Sequence, residues 1–200
     1  MRKLLFFLTI TAFVFLVGCS DSNSKGDKQD QVEKSNNVEE QMDTDKSSSI
    51  ENDADSNSSS SENKDLSHAF ANYMDEIMLL APDEERVIGL YESVTGVNYV
   101  NDEILYNTLL DEVIPGYRQF IVDLEAIMPK NNEIRELHES YIEAANIQYN
   151  SFTLMVSALE EQNIDKITEA NQGLDEARRI LRNWLYSVED LSKETGVGLE

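Results

Sequence analysis

The sequence predicts an all-α fold: an up-down-up-down four-helix bundle with two proline-kinked helices, preceded by a disordered spacer. Apolar residues recur every three or four positions from Asp65 to about Leu191, as they do on one face of a helix. Sustained apolar–polar alternation and the Asn-Gly or Asp-Gly turns of tight hairpins are missing. Because short loops make consecutive long helices antiparallel neighbours, residues 65–200 are expected to form a bundle about 45 Å long. The predicted connections lie near 96–100, 129–131 and 162–163.

The first helical stretch covers residues 66–95 and starts behind Asp65, a residue type that caps helix N-termini. Pro82 interrupts it, so the pattern fits either one kinked helix or two short helices in series. Gly96 follows and is able to take the left-handed conformation that ends many helices. The apolar stripe of this stretch consists of Leu66, Phe70, Tyr73, Ile77, Leu80, Val87, Ile88, Tyr91 and Val94.

The second stretch begins at Asn101, which is suited to cap a helix with an acidic first turn. Pro115 and Gly116 fall near its middle. Because proline removes one backbone hydrogen bond and its ring collides with the preceding turn, the helix is expected to bend or break at about 111–116. Its apolar stripe consists of Ile104, Leu105, Leu109, Val113, Tyr117, Phe120, Leu124 and Ile127.

The third and fourth stretches are the most regular. The third opens at Asn131, and around 152–159 it is apolar on nearly every side, which indicates a deeply packed position; an exposed partner groove is the alternative. The fourth starts after Asn163 and ends near Gly196. Its apolar residues alternate spacings of three and four, as in a coiled-coil seam, and are Ile167, Ala170, Leu174, Ala177, Leu181, Trp184, Val188 and Leu191.

The N-terminus follows the pattern of an export signal. Arg2 and Lys3 provide a positive start, and an apolar run of about 14 residues reaches Val17. The small residue Gly18 then precedes Cys19, the sole cysteine of the chain. The apolar run is shorter than the roughly 20 residues that cross a bilayer, and polar residues follow at once. A retained transmembrane span is therefore not expected.

The run Leu16-Val17-Gly18-Cys19 resembles the lipobox of bacterial lipoproteins. The resemblance covers residues 1–19 and implies that signal peptidase II cleaves between Gly18 and Cys19 after a diacylglyceryl group has been attached to the cysteine sulfur. It implies a mature protein held by its lipid on the outer face of the cytoplasmic membrane. An ordinary signal peptide, or an uncleaved anchor with an incidental cysteine, is the alternative.

A lipidated spacer is expected at 19–64, between the predicted signal peptide at 1–18 and the helical domain. From residue 20 to residue 64 it has almost no large apolar side chains, too few to offset the entropy of ordering, so it is predicted to be disordered. As a flexible coil it would span roughly 35–40 Å. Its richness in Ser, Asn, Asp and Lys favours a Gram-positive host.

The sequence lacks the patterns of common catalytic, metal and cofactor sites. It contains no Gly-rich phosphate loop, nucleophile elbow, His-Glu-x-x-His run or calcium loop, and its two histidines do not supply the Glu-x-x-His pairs of di-iron bundles. No catalytic residue, metal ligand or cofactor is predicted. His138 adjoins an apolar stripe and is expected to be a boundary residue with satisfied hydrogen bonds; a ligand or pH-sensing role is the alternative.

Charge is the strongest indication of the kind of partner. Residues 65–200 hold 9 Lys and Arg against 27 Asp and Glu, a net charge of about −18. Such a surface repels nucleic acid and anionic lipid headgroups and favours a basic protein or peptide. The predicted function is a membrane-tethered, non-enzymatic interaction module of the cell envelope. The alternative is a small-ligand carrier or sensor with a pocket between the kinked helices, near Pro82, Pro115 and Tyr117; an enzyme is a distant third.

Overall fold

A computed structural model describes residues 58–199, with side chains from Asn63 onward. This part of the chain is helical and contains no strand, so the all-α prediction is confirmed for it. The predicted cleavage and lipidation site, Gly18 and Cys19, lies outside the described residues, as does most of the predicted spacer. None of the helices from residue 58 onward combines the length and hydropathy needed to cross a membrane.

The described chain forms five α-helices and two short segments of other helical types. The connection after the first helix contains a 3₁₀ turn, and a π-helical segment joins the second helix to the third. In chain order the elements are α1 (Ser58–Glu92), the 3₁₀ turn (Gly96–Asn98), α2 (Asp102–Thr108), the π segment (Leu109–Val113), α3 (Ile114–Glu125), α4 (Asn132–Glu161) and α5 (Ile164–Thr195).

Asparagine side chains start three of the helices. Asn101 accepts a hydrogen bond from the Ile104 amide, and Asn131 and Asn163 each accept two amide hydrogen bonds from the first turn of the helix that follows. Gly96 and Gly196 take positive φ angles of 57° and 72°, which glycine adopts without steric cost. The three asparagine caps and the end at Gly196 are confirmed, whereas α1 ends at Glu92 and Gly96 begins the 3₁₀ turn instead of ending the helix.

The first helix differs from the prediction at its start. It begins at Ser58, seven residues before the expected N-cap, and it continues through Pro82 to Glu92 without interruption. Of the two alternatives, a single helix is therefore the one observed. The buried residues on either side of Pro82, Ile77 and Val87, explain the continuity, because their packing offsets the roughly 3 kcal/mol that an internal proline costs.

The expected break near Pro115 is replaced by a change of helical type. Residues Leu109–Val113 form the π segment, and α3 starts directly after it with Pro115 in its first turn. A π turn widens the helix by one residue, which accommodates a proline ring that would collide with the preceding turn of an α-helix. The helical path therefore continues through 111–116, so of the two predicted outcomes, a bend or a break, the break does not occur.

The core lies along the predicted stripes. The fully buried side chains of α1 and α3 include Phe70, Val87 and Tyr117, and α4 packs against both α3 and α5. The α4–α5 pair shares the most extensive contact of any two elements. Trp184 is buried on α5, as the seam pattern predicted, and Phe152 is fully buried on α4. Met155 and Val156, at the centre of the 152–159 patch, are also buried, so the interpretation of this patch as core is confirmed there.

Candidate functional site

An open groove of about 520 Å³ lies between the start of α4 and the end of α5. Its lining residues on α5 recur every three or four positions from Ile180 to Glu194, so they form one stripe about 20 Å long. Two turns of α4, from Glu133 to Ser140, form the facing wall. The groove is therefore an open cleft between α4 and α5, and no other described helix lines it.

Carboxylates dominate the rim of the groove. Glu133, Glu136, Asp190 and Glu194 line it, and its lining includes no Lys or Arg. Asp190 pairs with Lys193 at 2.8 Å, whereas the other three form no ion pair with any described residue. Because these acidic side chains are exposed and the lining holds no basic residue, the groove carries a local negative potential.

The floor of the groove is apolar and is already packed. Leu137, Trp184 and Leu191 line it, and all three are buried. The indole Nε1 of Trp184 donates a hydrogen bond to the Tyr73 hydroxyl at 3.2 Å, and the indole packs against the Tyr141 ring with centroids 4.8 Å apart. A ligand in the groove would thus gain little from further apolar burial and would meet mainly the acidic rim.

A buried carboxyl group lies behind this floor. Glu84 of α1 is half-buried, and its carboxylate accepts a 2.5 Å hydrogen bond from the Tyr141 hydroxyl of α4. Burial raises the pKa of Glu84 to about 7, and the hydrogen bond from Tyr141 opposes that shift only in part. Glu84 therefore connects, through Tyr141, to the tryptophan at the base of the groove.

Tyr117 of α3 lies near Glu84 and is fully buried. Its ring packs against Phe120 and Phe152, each with centroids 5.4 Å away, while its hydroxyl makes no hydrogen bond with any described residue. Burial and the neighbouring Glu84 carboxylate raise the pKa of Tyr117 well above its ordinary value. An unpaired buried hydroxyl costs about 1–3 kcal/mol, so this position works against stability.

His138 departs from its expected role as a satisfied boundary residue. It is buried, its ring meets Tyr73 edge-on at 5.5 Å, and neither ring nitrogen has a partner in hydrogen-bond geometry. Burial lowers the pKa of His138, and the nearby main-chain carbonyls of Leu124 and Ile127 oppose that shift. The prediction was wrong because the stripe position of Leu137 was taken as the edge of the core, which extends one residue further.

The three residues of the predicted pocket differ in burial. Pro82 and Pro115 are exposed, whereas Tyr117 is buried, and none of them lines the groove. The neighbouring Gly116 does bring α1 and α3 close together, because a Cβ at that position would lie 2.8 Å from a Val87 methyl group. The segments that contain the two prolines are therefore packed against each other, with the proline rings outside.

The sequence carried two signals for this site that the pattern analysis missed. Glu84 occupies a stripe position between Leu80 and Val87, so a carboxylate interrupts an otherwise apolar face. The rim residues flank the stripes of α4 and α5 at helical spacing, but only the packing of the two helices turns them into one groove. Within residues 58–199, no three His, Cys, Asp or Glu side chains are grouped to hold a metal ion.

No protein-family model, curated protein or solved structure matches this chain.

Proposed function

We propose that this chain is a membrane-tethered lipoprotein of the cell envelope whose helical domain binds a basic protein or peptide without catalysing a reaction. The groove with its acidic rim is the observation that carries the proposal. It offers a partner four carboxylates on a rigid two-helix surface, and it lies in a domain with a net charge of about −18. Both features favour cationic partners and disfavour nucleic acid.

The proposed architecture is an up-down-up-down four-helix bundle. In it, α2, the π segment and α3 together act as one helix that bends at Pro115, and α1 bends at Pro82. A hydrogen bond from the Ser67 hydroxyl to the Thr195 carbonyl joins the start of α1 to the end of α5, as neighbouring antiparallel helices require. The short connection between α4 and α5 supports the same arrangement.

The proposed tether is a diacylglyceryl group on Cys19, followed by a flexible spacer. Two acyl chains hold a protein on a bilayer, where one chain gives only marginal binding. The protein would lie on the outer face of the cytoplasmic membrane of a Gram-positive cell. Radiolabelled palmitate tests this part: we expect incorporation into the wild-type chain and none into Cys19→Ser, and label in both or in neither contradicts the anchor.

The binding energy is expected to come from the rim rather than from the floor. Because Leu137, Trp184 and Leu191 are already buried, the hydrophobic gain on binding is small. Several exposed carboxylates act together on a multivalent cation, although each exposed pair contributes only about 0.2–1 kcal/mol. Affinity should therefore fall steeply with ionic strength, since salt screens charges at the surface.

Trp184 provides a direct test, because it is the only tryptophan of the chain and it lines the groove. Oligolysine is titrated into the full chain while tryptophan fluorescence is recorded, with oligoglutamate as the peptide control. We expect saturable binding of oligolysine alone. The test variant neutralises the rim with Glu133→Gln, Glu136→Gln, Asp190→Asn and Glu194→Gln.

A matched control neutralises four exposed carboxylates away from the groove: Asp75→Asn, Glu85→Gln, Glu125→Gln and Glu143→Gln. Both variants change the net charge by the same amount. The rim variant should bind oligolysine at least tenfold more weakly, and the control less than threefold more weakly. Equal weakening would mean that overall charge, not the groove, attracts cations, and the site assignment would fail.

A small-ligand carrier is the second candidate function. It is favoured by the buried Tyr117 hydroxyl, which lacks a partner beside the Glu84 carboxylate, since two such polar groups could anchor a small polar molecule. A thermal-shift screen of small polar compounds tests it on wild type and Tyr117→Phe. Stabilisation of the wild type that Tyr117→Phe abolishes supports this function, and no stabilisation by any compound counts against it.

A further inference from the structure

A second surface lies at the far end of α1. Ten large apolar residues are exposed in the described part of the chain, and four of them fall within the eight positions 97–104, shortly after α1. Val97 is 100% exposed, Val100 67%, Tyr99 47% and Ile104 41%. Contiguous exposed apolar side chains of this kind mark interaction sites on folded domains. These four residues are called the apolar tip.

The tip is held rigidly by its own hydrogen bonds. The Asn98 amide group donates to the Glu92 carbonyl at 3.0 Å, and the Thr95 hydroxyl donates to the Tyr91 carbonyl at 2.9 Å. The Tyr99 hydroxyl donates to the Asp102 carboxylate at 2.7 Å. Because this backbone is already ordered, a partner that covers the tip loses little conformational entropy, which favours binding.

The surroundings of the tip are acidic. The 26 residues from Glu92 to Tyr117 contain five carboxylates and no Lys or Arg. The Tyr106 hydroxyl donates to Glu160 of α4 at 2.7 Å, so the α4–α5 connection lies at the same end, and Ile164 there is 73% exposed. The tip therefore combines apolar side chains with negative charge, and its natural complement is apolar and positive.

The tip and the groove are different sites. The groove uses the first two turns of α4, whereas the tip adjoins Glu160 near the end of that helix. Counting about 1.5 Å per residue from Glu136 to Glu160 places them roughly 35 Å apart. The tip also follows the C-terminal end of α1, which is about 50 Å long, so it lies at the end of that helix opposite Ser58.

A second copy of this chain is a poor occupant. The tip has only four side chains, of which Tyr99 and Ile104 are less than half exposed, so its apolar surface falls short of the ~800 Å² per partner that stable dimers bury. The remaining contact would have to come from the surrounding carboxylates, and in a symmetric dimer those would face each other. An anionic membrane surface is disfavoured by the same charge.

We propose that the apolar tip is a docking surface for another envelope protein, whose surface presents an apolar hollow rimmed by Lys and Arg. Val97 and Val100 would enter the hollow, and Asp102 and Glu103 would face its basic rim. The proposal is independent of the groove, so the domain would bind one partner near its tethered end and a second at its free end.

The test begins with photocross-linking in the cells that make this protein. The full chain carries a benzophenone amino acid at position 97 or, as a control, at position 79, where Leu79 is 78% exposed on α1. We expect position 97 to give one dominant protein adduct that position 79 does not give. An adduct with a second copy, an adduct with lipid, or the same products from both positions would overturn the proposal.

The captured protein is then purified and titrated against the full chain. Relative to wild type, Val97→Ser with Val100→Ser should bind at least tenfold more weakly, whereas Leu79→Ser and the neutralised groove variant should bind unchanged. Affinity should drop at least tenfold between low and high salt. Loss in the groove variant alone would reject the tip and leave the groove function standing. Thermal unfolding of each variant checks that the fold is intact.

Discussion

Two parts of the core are built on opposite principles, and α4 takes part in both. The first, the aromatic layer, brings rings from α1, α3, α4 and α5 within 4.8–6.2 Å of one another. The second, the small-residue seam, joins α4 to α5 through small side chains. The layer consists of Tyr73, Tyr91, Tyr117, Phe120, His138, Tyr141, Phe152 and Trp184; the seam includes Ser151, Ala170, Gly173 and Ala177.

The seam brings two helices into close contact. A methyl group on Gly173 would overlap the Ser151 hydroxyl, so the helices approach closely enough that alanine there would have to displace this hydroxyl. The Ser151 hydroxyl donates to the Ile147 carbonyl within α4 and needs no partner across the seam. Small side chains thus leave no space for polar groups that lack partners.

The aromatic layer has the reverse property. Its rings enclose polar groups at their edges: the Glu84 carboxylate, the Tyr117 hydroxyl and the His138 ring. Large side chains supply more apolar burial per residue, but a phenol brings a hydroxyl into the core with each ring. We therefore expect the stability of this domain to depend mainly on the aromatic layer, and the dependence of that stability on pH to come from the polar groups inside the layer.

The largest expected effect comes from removing a ring of the layer. Phe152→Ala should lower the free energy of unfolding by about 3–5 kcal/mol, because it leaves a cavity beside Tyr91 and Tyr117. Urea denaturation measures the change, with the exposed Leu79→Ala as the control. A loss below about 1.5 kcal/mol would show that the layer collapses to fill the space, and its distinction from the seam would disappear.

The next effect depends on pH. The pKa of Glu84 is about 7 in the folded protein and 4.5 without its surroundings. Between these two pH values the carboxyl group is therefore mostly protonated in the folded state and mostly deprotonated in the unfolded state. Stability from this group is therefore present below pH 4.5 and is lost as pH rises through 7, by at most about 3 kcal/mol. Glu84→Gln should be more stable than wild type at pH 8 and similar to it at pH 4.

Urea denaturation at several pH values measures this difference, and Glu143→Gln, which removes an exposed carboxylate, corrects for the change in net charge. Parallel stability curves for wild type and Glu84→Gln would refute the raised pKa.

Two Tyr→Phe substitutions compare the stability contribution of a hydroxyl that donates a hydrogen bond with that of a hydroxyl that has no described partner. Tyr141→Phe removes the donor to Glu84 and should destabilise by about 1–3 kcal/mol. Tyr117→Phe removes a hydroxyl that has no partner and should be neutral or stabilising by about 1 kcal/mol. Thermal unfolding at pH 7 compares the two, and equal destabilisation would mean that the Tyr117 hydroxyl is in fact paired.

The smallest effects come from placing alanine at three helical glycines. Gly89→Ala has open space and should stabilise by about 0.5–1 kcal/mol through helix propensity. In Gly173→Ala the Ser151 hydroxyl must rotate away from the new methyl group, and the cost of this rotation should cancel the gain in helix propensity, so no net change in stability is expected. At Gly116 the new methyl meets Val87 at 2.8 Å, and a net loss of about 1–3 kcal/mol is expected. Chemical denaturation measures the free energy of unfolding of the three variants. Stabilisation by all three substitutions would show that the helices do not approach closely at Gly116 and Gly173.

Much of the fold was predictable from the sequence, and the prediction differs from the structure at the start of α1 and near Pro115. The asparagine caps, the glycine end at Gly196 and the α5 stripe follow from local rules, and the structure has them. The start of α1 was missed because its first residues are polar and carry no stripe. At Pro115 the local rule indicated a bend or break, but a π segment absorbed the proline within a packed helix.

The candidate site was less predictable than the fold. The rim residues Glu133 and Glu194 are 61 positions apart, and nothing in their local sequence relates them. Glu84 was visible as a carboxylate on an apolar stripe, yet its partner Tyr141 is 57 residues away. Side chains distant in sequence become a site only through helix packing, which periodicity does not specify.

The sequence by itself determined that this domain is helical, where its caps lie, which faces are apolar and how strongly it is charged, because these depend on residues within a few turns of one another. Only the tertiary structure decided that α4 and α5 leave an acidic groove, that Glu84 meets Tyr141, and that Val97 stands in solvent. Those facts depend on the distance and rotation between helices. The physical reason is that packing is set by the sum of many weak contacts across the whole core, not by any local pattern.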